Sequence, residues 1–198
     1  MRLGVVAFVA IASAMLAAVA RTATLDTLEV TRSSGRYELY ADTWLAASPA
    51  DIYAVLLEYD DDAFGRISSV YKESRYLEPQ DDGTPTVFTL MEGCVMFYCL
   101  SMRRTERLIA EEFNFIRTES IPEESDFTYA MSEWEFSPEG DGTRMKYTMI
   151  LEPDFFVPPI VGPWILKRIL SRGGARVITR IERIARGENL PRRVAASR

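Results

Sequence analysis

The chemistry open to this chain is bounded first by a missing residue. Histidine is absent from all 198 positions, which removes Ser-His-Asp and Cys-His nucleophilic catalysis and the usual His-containing zinc sites. Two cysteines are present, Cys94 and Cys99. Their spacing is not that of a CxxC redox site, and on one straight strand they would point to opposite faces. Either they remain two separate thiols, or the chain turns within Cys94–Cys99 to bridge them, and Gly93 makes a bend there sterically easy. Acid–base work would fall to Tyr, Glu or Asp, whose carboxyl pKa rises when desolvated in an apolar cavity. Arg104 and Glu106 stand on the same strand face as Met102 and Leu108. They form either a buried polar pair that orients a ligand or a surface ion pair worth little. No spacing matches a catalytic motif, and nothing calls for a cofactor or a metal.

The N-terminus has the order of an export signal. Met1-Arg2 supplies one positive charge, Leu3–Ala20 carries none, and the run closes on Ala18-Val19-Ala20, a small-residue cleavage pattern, before Arg21. The alternative is an uncleaved membrane anchor, for which this Ala- and Val-rich stretch with Ser13 is weakly hydrophobic. The expectation is a signal peptide over residues 1–20 and a periplasmic or secreted protein. The remainder suits one domain with a sizeable core. A formal net charge of −6 argues against non-specific nucleic-acid binding, although the chain turns basic from Lys167 onwards.

Further along the chain, residues 21–36 read as a lead-in and Tyr37–Ala47 as a strand. Ser48 is a good N-cap and Pro49 a good first helical residue. Ile52, Val55, Leu56 and Tyr59 recur at helical spacing, so a short amphipathic helix is expected over Pro49–Glu58. Six further strands follow, over Val70–Glu78, Thr86–Glu92, Tyr98–Ala110, Phe113–Ser120, Asp126–Ser137 and Thr143–Pro153. Turn chemistry such as Gln80-Asp81-Asp82-Gly83 and Glu139-Gly140-Asp141-Gly142 separates them. Consecutive strands with short links make an antiparallel sheet of about seven strands. Trp134 and Phe136 alternate with Glu133 and Glu135, while Met145, Tyr147 and Met149 alternate with Arg144 and Lys146, so one face is buried and one wet.

The last element is a long helix from near Ile160 to Arg186, stopped by Gly187. Its apolar face holds Leu166, Ile169, Leu170, Val177, Ile178, Ile181 and Ile184. Lys167, Arg168, Arg172, Arg176, Arg180, Arg183 and Arg186 take the other face. Gly173 and Gly174 interrupt the packing face at a cost of about 1 kcal/mol each relative to Ala. Either the space they leave belongs to a ligand cavity, or the helix approaches the sheet closely or kinks there. The domain reads as residues 37–187, with 188–198 as a loose basic tail.

Several stretches carry a resemblance: Leu45-Ala46-Ala47-Ser48-Pro49-Ala50-Asp51-Ile52-Tyr53, Leu57-Glu58-Tyr59-Asp60, Ser132-Glu133-Trp134-Glu135-Phe136-Ser137-Pro138, and Gly142-Thr143-Arg144-Met145-Lys146-Tyr147. With the element order, they make residues 37–186 resemble the START-like (SRPBCC) superfamily, and within it the polyketide cyclase/dehydrase group that includes coenzyme Q-binding START-domain proteins. The resemblance implies an α+β helix-grip fold, a curved antiparallel sheet wrapped around the C-terminal helix. Such proteins bind lipids, quinones, hormones or polyketides, and some catalyse cyclisation or dehydration. They share a cavity and no universal catalytic motif, so no catalytic residue carries over.

Strand parity places Trp134, Phe136, Tyr147 and Met149 together, with Tyr76, Phe88 and Met102 as neighbours from earlier strands. With Trp164, Ile169, Gly173 and Gly174 from the helix they form the candidate ligand-binding set. The alternative is an ordinary aromatic core. Val95-Met96-Phe97-Tyr98 and Phe155–Trp164 are apolar clusters that, if exposed at a cavity mouth, would touch a membrane surface, helped by the basic helix face. Otherwise that face is simply solvated. The expected function is binding of an apolar small molecule such as a lipid or quinone, with carriage as its extension. A cyclase or dehydratase acting on a polyketide-like substrate and a ligand-free interaction module are the alternatives, and the oligomeric state is left open.

Overall fold

A computed structural model describes residues 22–95, 98–155 and 162–192, with side chains of the last helix described from Gly173 onwards. The export signal over 1–20, the centre and the side chains of the apolar tip Val95–Tyr98, most of the Phe155–Trp164 cluster, the side chains of Trp164 and Ile169, and the end of the tail lie outside what is described.

Eight strands form one antiparallel sheet: β1 (Thr24–Ser33), β2 (Arg36–Leu45), β3 (Tyr71–Leu77), β4 (Thr86–Val95), β5 (Tyr98–Glu111), β6 (Phe115–Ser120), β7 (Phe127–Glu139) and β8 (Gly142–Pro153). Their order across the sheet is β1-β2-β8-β7-β6-β5-β4-β3. Strands β3 to β8 form a continuous meander, and β8 returns to pair with β2. Helix α1 (Pro49–Leu57) and the single-turn α2 (Phe64–Ile67) lie between β2 and β3, and α3 (Gly162–Ala185) ends the domain. This is the helix-grip arrangement. Helix α3 packs against β1, β2, α1 and α2, burying Ile178, Ile181 and Ile184 in a cluster with Leu45, Ile52, Leu56, Val87, Leu108, Ile116, Phe136 and Met145.

The eighth strand, β1, corrects the expected lead-in. It pairs along its whole length with β2 through a two-residue turn whose Ser34 and Gly35 both have positive φ, 50° and 88°, the backbone that suits a tight hairpin. A bulge between Leu25 and Thr27 puts Leu25, Leu28 and Val30 on one face at a spacing of three and then two. That break hides the strand from a period-two reading.

The stretches that carried the resemblance hold the fold together. Ser48 caps α1, its Oγ accepting from the Asp51 amide at 3.2 Å. Thr143 Oγ1 donates to the Ala47 carbonyl at 2.7 Å. Glu182 of α3, buried on a helix expected to carry only apolar residues on that face, accepts from the Ala46 amide at 2.6 Å. A Cβ on Gly142 would collide with the Leu45 carbonyl oxygen and sit 2.6 Å from the Trp44 ring. Here β8 crosses β2 too closely for any side chain.

The acidic run Asp60-Asp61-Asp62 is structural as well. Asp62 accepts from the Ser74 amide at 3.0 Å and Asp60 from the Tyr76 amide at 3.3 Å, so the run covers edge strand β3, whose amides would otherwise invite another chain. The beginning of the expected loose tail is docked. Leu190 is buried, and Arg192 binds Asp62 at 3.0 Å and the Lys72 carbonyl at 2.8 Å. One apolar side chain and one ion pair anchor it, too short a pattern to register as an element. Among the described residues no helix is long and apolar enough to cross a membrane.

Candidate functional site

The register fixes which residues face the hollow of the sheet. Met145 and Met149 of β8 pair with Thr43 and Leu39 of β2. Across β7 and β8, Ser132 faces Met149, Trp134 faces Tyr147, and Phe136 faces Met145. Further along, Thr118 pairs with Ser132, Glu106 with Ser120, and Thr89 with Arg104. Since paired residues share a face, all of these lie on the concave side with the buried Val87, Leu108 and Ile116.

Of the expected lining, the structure brings together Met102, Trp134, Phe136, Tyr147 and Met149. Trp134 and Tyr147 stack with ring centroids 5.0 Å apart. Phe136 is buried and meets Tyr53 of α1 edge-on at 6.2 Å. Met102, Trp134, Tyr147 and Met149 are only half-buried, although they share the concave face with the buried cluster. Tyr76 has the right parity but sits on the edge strand, 37% exposed. Its hydroxyl donates to the Leu57 carbonyl at 2.7 Å, so it latches β3 to α1 instead of lining the centre. Phe88 is a correction. It pairs with Arg75 on the convex face, and the Arg75 guanidinium lies 4.4 Å from its ring centroid. Two adjacent apolar residues, Val87 and Phe88, competed for the inner position, and Val87 holds it with no exposure.

The glycine pair divides. Among the described residues, a Cβ at Gly173 would meet nothing within 4 Å, and one at Gly174 would touch Leu25 at 3.5 Å, an ordinary contact. The described part of the sheet therefore gives no steric reason for glycine at either position.

Arg104 and Glu106 form a buried pair, 5% and 3% exposed, joined through Arg104 Nη2 and Glu106 Oε1. Arg104 Nη2 also donates to Ser132 Oγ at 3.1 Å, and Thr118 Oγ1 donates to Glu106 Oε1 at 2.9 Å. The Tyr147 hydroxyl lies 3.4 Å from Ser132 Oγ. Among the described residues two atoms of the group lack partners, Arg104 Nε and Thr89 Oγ1. Burial is the strongest single influence and opposes the Arg104 charge, but Glu106, Tyr147 and Tyr71 together more than offset it, and the pKa is raised. Burial likewise raises the phenols of Tyr147, Tyr71 and Tyr59, which stay protonated. A fixed cation and protonated phenols donate hydrogen bonds, while Glu106 is already engaged by Arg104 and Thr118. The arrangement suits gripping an acceptor on an otherwise apolar molecule better than abstracting a proton.

Sequence reasoning left Ser132, Thr118, Thr89 and Tyr71 out of the candidate set. Ser132 shares parity with Trp134, a signal that was available. The others needed the strand register, which no local pattern supplies.

Cys94 and Cys99 are directly opposed across the β4–β5 hairpin, with Cα atoms 4.0 Å apart, and are joined by a disulfide. The turn that bridging required is the hairpin itself. Among the described residues no cluster of acids or cysteines is arranged to hold a metal ion.

A family model described as polyketide cyclase / dehydrase and lipid transport matches residues 45–167. No curated protein matches the sequence. Among solved structures, a START superfamily protein from Mycobacterium smegmatis is similar at 19% identity and a TM-score of 0.58, over 74% of this chain and 98% of that one. A STAR-related lipid transfer protein from Xanthomonas axonopodis is similar at 16% identity and a TM-score of 0.55, over 81% and 99%. The Zhui aromatase/cyclase from Streptomyces sp. R1128 is similar at 13% identity and a TM-score of 0.56, over 76% and 94%. At these identities the likeness is one of fold.

Proposed function

The chain belongs to the polyketide cyclase/dehydrase and lipid transport family, and from that premise we propose that it binds an apolar small molecule, a lipid or a quinone, between the concave sheet face and α3. The observation that carries this reading is the half-buried apolar surface of Met102, Trp134, Tyr147 and Met149 on the face that a fully packed core would close. Methionine adapts its shape to a guest, and the stacked pair offers a flat aromatic wall. The lack of any neighbour to a Gly173 Cβ among the described residues supports the same reading from the helix side. The similar fold of a STAR-related lipid transfer protein gives a precedent for cargo in such a hollow.

The test is solvent extraction of protein purified from its native host, followed by mass spectrometry. One lipid or quinone species is expected in near-stoichiometric amount. Protein that yields no bound molecule sinks the carrier reading and leaves an interaction module.

A second reading, cyclisation or dehydration of a polyketide-like substrate, is favoured by one observation, the Arg104–Ser132–Tyr147 chain of donors on the concave face. Donors so placed polarise a substrate carbonyl. Turnover that survives Tyr147→Phe and Arg104→Met would remove that role.

We also propose that the chain is exported with residues 1–20 removed, on the basic, apolar and small-residue order of its start. The apolar segments around Val95–Tyr98 and Phe155–Trp164 would then give it transient contact with a membrane surface, where cargo is collected.

A further inference from the structure

We propose that residues 187–192 act as a latch that fastens α2 and edge strand β3 to α3 and sets how fast a bound molecule enters and leaves. This rests on the reading that the concave face holds an apolar ligand, and it assigns control of exchange to a segment outside the ligand space.

Helix α3 leans to one side of the sheet. Among the described residues it packs chiefly on β1, β2, α1 and α2, whereas β3 forms the opposite edge of the sheet from β1. The strap ties the two sides together. Gly187, at a φ of 85°, turns the chain out of the helix, and Leu190 buries its side chain in the core cluster. Arg180 of α3 donates to the Pro191 carbonyl at 2.8 Å and also to the Arg66 carbonyl of α2. Arg192 donates to the Lys72 carbonyl of β3 at 2.8 Å and to the Asp62 carboxylate at 3.0 Å.

The seat of Arg192 is shaped for it. A Cβ at Gly65 would stand 3.0 Å from Arg192 Nε, so the guanidinium lies against bare backbone of α2. Asp62 gives one carboxylate oxygen to the Ser74 amide and the other to Arg192, which makes one side chain the joint between β3 and the strap. Asp61 and Asp62 both have positive φ, 53° and 57°, a backbone that persists only where its surroundings over-determine it. Near this joint a cleft of about 510 Å³ runs between α1, α2 and the end of α3, lined by Val55, Glu58, Arg66, Ile184, Glu188 and Asn189. The seam therefore combines room to move, a strained turn and a partly exposed ion pair. Such a pair is weak and screened by salt, which suits a fastener that opens locally while the rest of the domain stays folded.

Stopped-flow association and dissociation of the neutral fluorescent probe N-phenyl-1-naphthylamine test the latch on the full chain. Arg192→Gln is expected to raise both rates about threefold, the factor that a partly exposed ion pair is worth. The latched form remains the major one, so easier opening speeds both directions and leaves Kd within about twofold. Gly65→Ala, which pushes the guanidinium from its seat and leaves Arg192 in place, is expected to have the same effect, and the double variant to add nothing to it. Salt at about 1 M is expected to bring the unsubstituted protein up to the rates of Arg192→Gln. Unchanged rates, a faster dissociation alone with a matching loss of affinity, or additive effects of the two substitutions would each overturn the latch while leaving apolar binding intact. Absence of probe binding in every protein overturns the binding reading itself, and the latch with it.

Discussion

At the scale of single residues, the decisive feature is an ion pair placed where water is scarce. Removing one member of such a pair strands the other, which commonly costs about 3–5 kcal/mol, whereas replacing both with apolar side chains of similar volume is often neutral. Arg104→Met is therefore expected to destabilise the protein by about 3 kcal/mol or more, and the double replacement Arg104→Met with Glu106→Met to restore most of that loss. Urea denaturation of the three proteins measures it. Equal losses in the single and double variants would mean that the pair is solvated and no part of a buried anchor. The pair was half legible in the sequence. Its shared face followed from strand parity, but whether that face was covered depended on sheet curvature and on α3, neither of which two residues of spacing encode. Phe88 failed for a related reason, since parity names two faces and only the register across β3, β4 and β5 says which is inside.

At the scale of elements, two glycine sites make opposite demands. Gly142 sits where β8 meets β2, and a methyl group there would collide with the Leu45 carbonyl and the Trp44 ring. Backbone cannot yield cheaply, so Gly142→Ala is expected to cost about 2 kcal/mol or more. Gly173 lies in α3, where an added methyl group would meet nothing within 4 Å among the described residues, so Gly173→Ala should stabilise the helix by about 0.5–1 kcal/mol. Gly173→Leu should keep the fold and block uptake of an apolar probe. Thermal unfolding and probe binding check all three; unchanged uptake in Gly173→Leu would separate the glycine from the ligand space. The elements themselves were largely legible because caps and turns are local, as at Ser48-Pro49 and Gly140–Gly142. Strand β1 was not, because its bulge breaks alternation and its pairing depends on β2. Glu182 was not, because a lone helical glutamate reads as solvated until the partner amide of Ala46 is brought to it. The same limit hid the docked start of the tail.

At the scale of the whole molecule, the buried phenols tie ionisation to unfolding. Burial raises the pKa of Tyr59, Tyr71 and Tyr147 above the value of about 10 for an unfolded chain. The unfolded chain then gives up these protons at lower pH than the native one, so their contribution to stability is whole below about pH 10 and drains away as pH climbs toward the native values. Exposed tyrosines should ionise first, the half-buried Tyr71 and Tyr147 later, and the ultraviolet signal of the buried Tyr59 should rise only with loss of the circular dichroism of the sheet. A single early ionisation step with the sheet intact would show the hollow to be open to water. The proposed export is the other prediction that belongs to the whole chain. The Cys94–Cys99 bridge persists in oxidising compartments and is uncommon in a reducing cytosol, and the first twenty residues have the order of a cleaved leader; the two arguments are independent, one from hairpin geometry and one from N-terminal composition. Protein recovered from its native host should therefore begin at Arg21 and carry no free thiol. Intact mass spectrometry before and after alkylation reads both at once: a chain that still begins at Met1 would make the N-terminus a retained anchor, and two alkylated cysteines would place the protein in a reducing compartment.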